Sequence, residues 1–210
     1  MAENRFEERY QSGDTPWDHG MVDHNLIDVV SMNGIGRCRV LEIGCGSGEN
    51  AIWLAQQGFD VVACDLSPTA IQRAKDKLAA TEADVRFLIT EFLADPIADE
   101  PFGFIFDRGC LHCMDDEVER KRFVEKVSAL LEKGGHWLSL VGNADEGERA
   151  VGPPQLTASE LVSTVEPHFE ILSLSSGHFG SDQKVPPRAW ICLLRKREGY
   201  RRLFAGFDPD

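Results

Sequence analysis

The sequence predicts an α/β fold, a mostly parallel sheet with helices on both faces. Three observations carry that expectation. Short apolar runs alternate with helical patterns along the chain. The first apolar run stops at a glycine-rich loop that opens directly into a helix. The 210 residues suffice for one domain with a substantial core. Repeated strand–helix units place successive strands parallel, because each crossover helix returns the chain to the same end of the sheet.

Cys38 to Ile43 reads as the first buried strand, ended by Gly44-Cys45-Gly46-Ser47-Gly48. Ala51, Ile52, Leu54 and Ala55 then carry a helix, and a second strand, Phe59 to Cys64, finishes at Asp65. Ser67 is placed as an N-cap with Pro68 at the first helical position, and Ala70, Ile71, Ala74 and Leu78 form one face of that helix. Val85 to Ile89 and Phe104 to Phe106 read as the next two strands, the latter running into Asp107-Arg108-Gly109. A charged helix is expected from about Asp116 to Glu132, with Phe123, Val124, Val127, Leu130 and Leu131 inward and Lys133-Gly134-Gly135 as its stop. Trp137 to Val141 is a strand, Gly152-Pro153-Pro154 a loop, and Ser159 to about Val165 a short helix. Glu170 to Ser175 and Ala189 to Arg195 close the pattern as two strands without a helix between them, so an antiparallel pair is expected at the sheet edge. The expected organisation is a single domain: a lid or helical segment over 1–33, a core over 34–197 and a tail over 198–210.

Composition narrows the function. A formal net charge of -13 repels a phosphate backbone, which argues against nucleic acid as a partner. Arg195-Lys196-Arg197 with Arg201 and Arg202 is the one basic cluster and reads as a solvated terminus. No apolar run approaches the length of a membrane span, and the charged start (Glu3, Arg5, Glu7, Glu8, Arg9) is unlike a signal peptide. Six cysteines without such a signal suit reduced thiols, so a cytoplasmic location and a small-molecule partner are expected. The oligomeric state is not legible.

In an open α/β sheet a ligand sits outside the carboxyl ends of the strands. That rule directs attention to Glu42–Gly48, Asp65-Leu66, Thr90–Leu93 and Asp107–Cys113. Glycines let a backbone turn tightly and approach a ligand, and an acidic residue at the tip of the second strand, here Asp65, can accept hydrogen bonds from both ribose hydroxyls. The spacing Gly44-x-Gly46-x-Gly48 differs from the G-x-G-x-x-G of dinucleotide sites. Glu42 just before it would repel a pyrophosphate but suits a cofactor with a cationic centre and an ammonium group.

The run Glu42-x-Gly44-x-Gly46-x-Gly48 resembles motif I of class I S-adenosylmethionine-dependent methyltransferases. The resemblance implies a Rossmann-like seven-stranded sheet with an antiparallel edge strand, and S-adenosyl-L-methionine as cofactor. Glu42, Gly44, Cys45, Gly46 and Gly48 would wrap its methionine part, Asp65 its ribose, Leu66 one wall of the adenine slot, and Glu91-Phe92 the adenine. Such enzymes more often carry Asp where Glu91 stands. A narrower likeness rests on Thr15-Pro16-Trp17-Asp18, Asp107-Arg108-Gly109-Cys110-Leu111, Gly152-Pro153-Pro154 and Arg188-Ala189-Trp190. These resemble the thiopurine, thiol and halide methyltransferase group over about residues 14–197. They imply that Trp17 and Asp18 close over the cofactor, that Asp107 borders it, and that Arg108 orients a small methyl acceptor, with Arg188 a weaker candidate.

A guanidinium near a thiol also favours the thiolate, the nucleophilic form; the alternative for Arg108 is an ion pair that fixes its loop. His112 is the obvious candidate base near the transfer site, needed by an oxygen or amine acceptor and hardly by a thiol. Cys110-Leu111-His112-Cys113 lacks a second ligand pair, so no metal site is expected. Cys45, Cys64 and Cys110 leave open a soft acceptor such as a metalloid. The remaining alternatives are O- or N-methylation of a small metabolite, a non-catalytic cofactor sensor and an NAD-dependent oxidoreductase.

Overall fold

The computed structural model of the chain describes residues 5–32, 34–97, 100–147 and 154–198. Gly152-Pro153 and the tail beyond Glu198 lie outside them. Two helices lead the described chain, α1 (Arg5–Ser12) and α2 (His24–Met32). There follow β1 (Arg39–Ile43), α3 (Glu49–Gln56), β2 (Asp60–Asp65), α4 (Pro68–Leu78), β3 (Val85–Ile89) and β4 (Phe102–Arg108). The last elements are α5 (Glu117–Leu130), β5 (Leu131–Gly142), α6 (Ala158–Val165), β6 (Phe169–His178) and β7 (Arg188–Lys196).

Among the described residues these strands form one seven-stranded sheet of order β3-β2-β1-β4-β5-β7-β6. The pairs β1–β2, β1–β4, β2–β3 and β4–β5 are parallel, and β7 runs antiparallel to both neighbours. The antiparallel pair is therefore at the sheet edge as expected, with the reversed strand one place in. The order turns around between β1 and β4, which opens the crevice used for ligands in doubly wound sheets.

Alternation along the strands splits the core into two layers. Leu41, Ile43, Ile105, Trp137 and Val141 face one side with Phe123, Val124 and Val127 of α5 and Leu161 and Val165 of α6. Val40, Phe104, Phe106, Leu138 and Leu140 face the other with Leu26 and Val29 of α2, Leu54 of α3 and Ile71 of α4. A central strand buried on both faces reads as a continuous apolar run, which is why these segments stand out in the sequence.

Local capping follows the side chains. Ser67 Oγ accepts the Ala70 N–H at 3.0 Å, with Pro68 opening α4. Asp116 Oδ1 accepts the Glu119 N–H at 2.8 Å at the start of α5. Thr157 and Glu160 form a reciprocal capping box, so α6 starts one residue earlier than expected. One boundary differs more. α5 ends at Leu130, and Leu131 already pairs with Phe102 before the register jumps to Phe104–His136. Lys133-Gly134-Gly135 is thus an irregularity within β5 rather than a helix stop. Leu131 is drawn into the strand because its side chain belongs to the core.

Phe123 is fully buried and packs against Phe92 and Trp137 at ring-centroid distances of 4.7 and 6.2 Å. Phe123→Ala is expected to cost about 3–5 kcal/mol, seen as a lower urea midpoint at unchanged slope; a shift under about 1 kcal/mol would mean that this layer repacks without loss.

Candidate active site

The glycine loop, Asp65, Thr90 and Arg108 all lie at the carboxyl end of the parallel strands, held there by the ladder and its extensions. The Cys45 N–H donates to Cys64 O at 2.9 Å, and the Thr90 N–H to Asp65 O at 3.0 Å. Gly44 and Gly46 have φ of 66° and 54°. A Cβ on Gly44 would stand 2.1 Å from Cys110 Sγ, and one on Gly46 2.6 Å from Tyr10 Oη. Both close approaches require glycine.

Glu42 is 1% exposed, and burial pushes its carboxyl up to about 8. Its Oε1 accepts from Asn50 Nδ2 at 3.0 Å, whereas Oε2 is buried without a hydrogen-bond partner. An ammonium group supplies what that oxygen lacks, so the donor set fits the amino-acid end of the cofactor. Asp65 Oδ2 accepts the Gly46 N–H and Oδ1 the Ser67 N–H, each at 2.8 Å. Burial raises its carboxyl, and these N–H donors work against the shift. The Leu66 N–H bears on the same carboxylate, which has about four acceptor positions, so a remaining position fits a ribose hydroxyl. Leu66 is 37% exposed beside it.

After β3, Asp95 Oδ2 gathers Thr90 Oγ1 at 3.1 Å and the Glu91 N–H at 2.9 Å. The Glu91 side chain is exposed. Phe92 turns into the core against Phe123, which leaves its backbone, rather than its ring, as the part that can meet a base.

The N-terminal segment lies over the loop. Trp17 Nε1 donates to Tyr10 Oη at 3.1 Å, Phe6 and Tyr10 meet the Trp17 ring edge-on, and Arg9 lies 4.4 Å over it. Burial pushes the Tyr10 phenol well above its ordinary range, so it stays protonated. Ser47 Oγ donates to Asp18 Oδ1 at 2.7 Å, which joins the segment to the glycine loop. Glu7 accepts from Thr69 N at 3.1 Å and Thr69 Oγ1 at 2.6 Å at the start of α4, where a carboxylate also complements the helix dipole.

Arg108 makes an ion pair with Asp23, Nε to Oδ2 at 2.8 Å. Its Nη1 donates to Trp17 O at 3.2 Å, its Nη2 to Gly180 O at 2.6 Å, and its guanidinium lies 5.3 Å from the Phe179 ring. The loop carrying Phe179 and Gly180 joins β6 to β7 and touches the N-terminal segment again: His19 Nδ1 is 2.6 Å from Asp182 Oδ1, and Gln183 Nε2 donates to Pro16 O at 3.2 Å.

For two residues the geometry bears on the expected role. The Asp107 side chain turns into the protein. It is fully buried, its Oδ1 caps the Cys110 and Leu111 N–H groups at 3.0 and 3.2 Å, and its Oδ2 accepts Trp137 Nε1 at 2.9 Å. Burial raises its carboxyl to about 6, against the pull of those donors. His112 is ill-suited as a base. Its Nδ1 accepts the Gly142 N–H at 2.7 Å, and burial together with the Arg108 charge lowers it to about 3. The neutral ring then carries its proton on Nε2 and has no lone pair to offer a substrate. Arg188, half-buried at the start of β7, donates to Asp145 O at 3.1 Å and Ser176 Oγ at 2.8 Å.

Cys110 Sγ donates to Ile43 O at 3.1 Å. Burial raises the Cys45 and Cys110 thiols well above their ordinary range and brings Cys64 to about 12 and Cys113 to about 11. These are protonated, packing thiols. Among the described residues no cluster of three His, Cys, Asp or Glu side chains could hold a metal ion, and no helix is long and apolar enough to cross a membrane. Tyr10, Asp23, Asn50 and Gly180 escaped the sequence reading. Asp23 alone left a signal there, as the Asp of an Asp-x-Asn helix start.

The thiopurine S-methyltransferase family model matches residues 1–185. A probable thiol methyltransferase 2 of Arabidopsis thaliana is 30% identical over 181 residues, which covers 83% of this chain and 78% of that protein. A 2-heptyl-1-hydroxyquinolin-4(1H)-one methyltransferase of Mycobacteroides abscessus is 27% identical over 196 residues, 93% of this chain and 82% of that protein. Among solved structures, the 1,6-didemethyltoxoflavin-N1-methyltransferase of Burkholderia thailandensis, with bound S-adenosylhomocysteine, superposes with a TM-score of 0.72 at 20% identity. The superposition covers 92% of this chain and 86% of that one and shows the shared fold. A glycine loop shaped for an amino-acid-bearing nucleoside and a family match over most of its length lead to one conclusion: the chain belongs to the thiopurine S-methyltransferase family and is an S-adenosylmethionine-dependent methyltransferase.

Proposed function

We propose that this enzyme methylates a small thiol or another soft nucleophile that ionises without a dedicated base. The observation that carries this reading is the state of His112, whose Nδ1 is occupied by the Gly142 N–H beside the proposed transfer site. An oxygen or amine acceptor would need a general base there. A thiol needs only modest help from a nearby cation, and Arg108 is that cation. A relative named as a thiol methyltransferase supports the same choice. The hydroxyquinolone methyltransferase relative favours a second reading, an acidic heteroaromatic hydroxyl, which also ionises unaided.

In this reading Glu42 holds the cofactor's ammonium and the loop from Gly44 to Gly48 its methionine chain. Asp65 holds the ribose, Leu66 flanks the adenine, and the backbone at Glu91-Phe92 meets the adenine edge. S-Adenosylmethionine supplies an electrophilic methyl on a sulfonium. Tyr10, Trp17 and Asp18 cover the loop and keep water out. The Arg108 guanidinium, with one N–H on each of Nη1 and Nη2 beyond its protein contacts, orients the acceptor. Alignment of this kind is worth up to about 7–11 kcal/mol of barrier in favourable cases.

Four measurements test the assignment. Incubation with S-adenosylmethionine and a panel of thiols, halides, acidic hydroxyls and amines should yield S-adenosylhomocysteine with thiols first. Arg108→Gln should lower kcat on the best acceptor about 10–100-fold, the scale of a lost charged contact, and turnover confined to amines would sink the reading. Asp65→Ala should weaken S-adenosylhomocysteine binding by about tenfold or more in calorimetry, and equal affinity would remove the ribose role.

The fourth is pH dependence. Between pH 4.5 and about 8 the folded Glu42 keeps a proton that the unfolded chain releases. Stability from this group is therefore full below 4.5 and is lost as pH rises through about 8. An ammonium favours the ionised form, so cofactor affinity should rise with pH up to about 8, with proton release. In Glu42→Gln that pH dependence should vanish; its persistence would place the titrating group elsewhere.

A further inference from the structure

The buried carboxylate of Asp23 has no part in the cofactor contacts, yet each of its oxygens is doubly engaged. Oδ1 accepts the Asn25 N–H at 3.0 Å and Asn25 Nδ2 at 2.7 Å, and so caps the start of α2. Oδ2 accepts both Arg108 Nε and the Gly180 N–H, each at 2.8 Å. Since Arg108 Nη2 returns to Gly180 O at 2.6 Å, the carboxylate, the guanidinium and the backbone of Gly180 close a ring. The Asp23 N–H donates to Asn50 Oδ1 at 2.9 Å, and Asn50 Nδ2 donates to Glu42 Oε1 at 3.0 Å. An unbroken chain of hydrogen bonds thus runs from the cofactor acid Glu42 to Arg108. Space enforces the same arrangement, because a Cβ on Gly180 would lie 3.0 Å from Asp23 Cα, Cγ and Oδ2.

We propose that Asp23 is a positioning residue for methyl transfer, acting on the acceptor through Arg108, whose guanidinium it fixes relative to the cofactor loop and the β6–β7 loop. The inference rests on the reading of Arg108 as the acceptor-facing group. A guanidinium is a rigid planar fork, so setting Nε and one Nη sets the directions of all its N–H groups. Asp23 supplies the first anchor and Gly180 the second. The Phe179 ring, 5.3 Å from the guanidinium, confines the plane. With Asp23 1% exposed and the Arg108 side chain 16% exposed, solvent cannot take over the anchor if Asp23 is lost. The guanidinium would then swing to other partners and lose the alignment that rate depends on. Asp23 touches neither reactant in this scheme; its effect reaches the reaction only by way of Arg108.

That dependence is testable by a double-mutant cycle on the full-length chain. Asp23→Asn keeps the shape and removes the charge. It should lower kcat on the best acceptor by about tenfold or more, with S-adenosylhomocysteine affinity changed by less than about threefold. Added to Arg108→Gln, it should cause no further loss of kcat, because the group it positions is gone. Gly180→Ala crowds Asp23 while leaving its charge, and serves if Asp23→Asn melts at assay temperature. It too should lower kcat in the wild-type background and not in Arg108→Gln. Equal losses in both backgrounds, or an unchanged kcat in Asp23→Asn, would overturn the proposal. If Arg108→Gln itself left kcat unchanged, the acceptor-facing reading of Arg108 would fall first. A loss with Arg108→Gln but not with Asp23→Asn or Gly180→Ala would remove only the positioning role.

Discussion

Much of the molecule is arranged around the left-handed turn that ends β1. With φ of 66° at Gly44 and 54° at Gly46, the backbone leaves the strand within a few residues and exposes a surface without side chains. Two otherwise unrelated elements approach that surface. The turn after β4 brings Cys110 Sγ against Gly44, and α1 brings the Tyr10 hydroxyl against Gly46. The same peptide run meets β2 through the Asp65 carboxylate and the Gly46 N–H. A side chain on either glycine would push apart parts of the chain that come from opposite ends of the sequence. The turn therefore sets how closely the covering segment and the turn after β4 can pack on it.

The acidic side chains near this turn show how environment assigns roles to one functional group. Asp107 is spent inside the protein on two backbone N–H groups and an indole. Asp23 is spent on a helix start and a guanidinium. Glu42 is as deeply buried but has one oxygen unmatched. A buried carboxylate with every acceptor position used stabilises the fold. One with an open position is held at a cost that a ligand can offset. That difference sets Glu42 apart from Asp23 and Asp107.

The sheet and its helices were readable because central strands are buried on both faces and helices carry caps, as Ser67-Pro68 and the apolar run Val40–Ile43 show. The boundary at Leu131 was not, since Gly134-Gly135 signals a helix stop and a strand irregularity alike. Glu42, the glycines and Asp65 could be picked out because they are contiguous or follow a strand end. Asp23 and Gly180 could not, because their importance arises from a contact across 157 positions of sequence. The inward turn of Asp107 was hidden for a related reason: a strand-end acid looks the same on paper whether it faces the crevice or caps the turn behind it. For Arg108, the ion pair weighed as an alternative and the acceptor-facing role turn out to be compatible, since the pair uses only part of its donors.

The β6–β7 connection reaches back over the sheet and closes on itself where the Phe179 N–H donates to Pro187 O at 3.0 Å. It holds the Arg108 guanidinium through Phe179 and Gly180, and its tip reaches the N-terminal segment through Asp182 and Gln183. A change at Asp182 or Gln183 would therefore be felt in the segment that lies over the glycine loop, and one at Phe179 or Gly180 at Arg108. One short hairpin thus acts as a clasp between the two ends of the described chain, so exchanging it would disturb both at once.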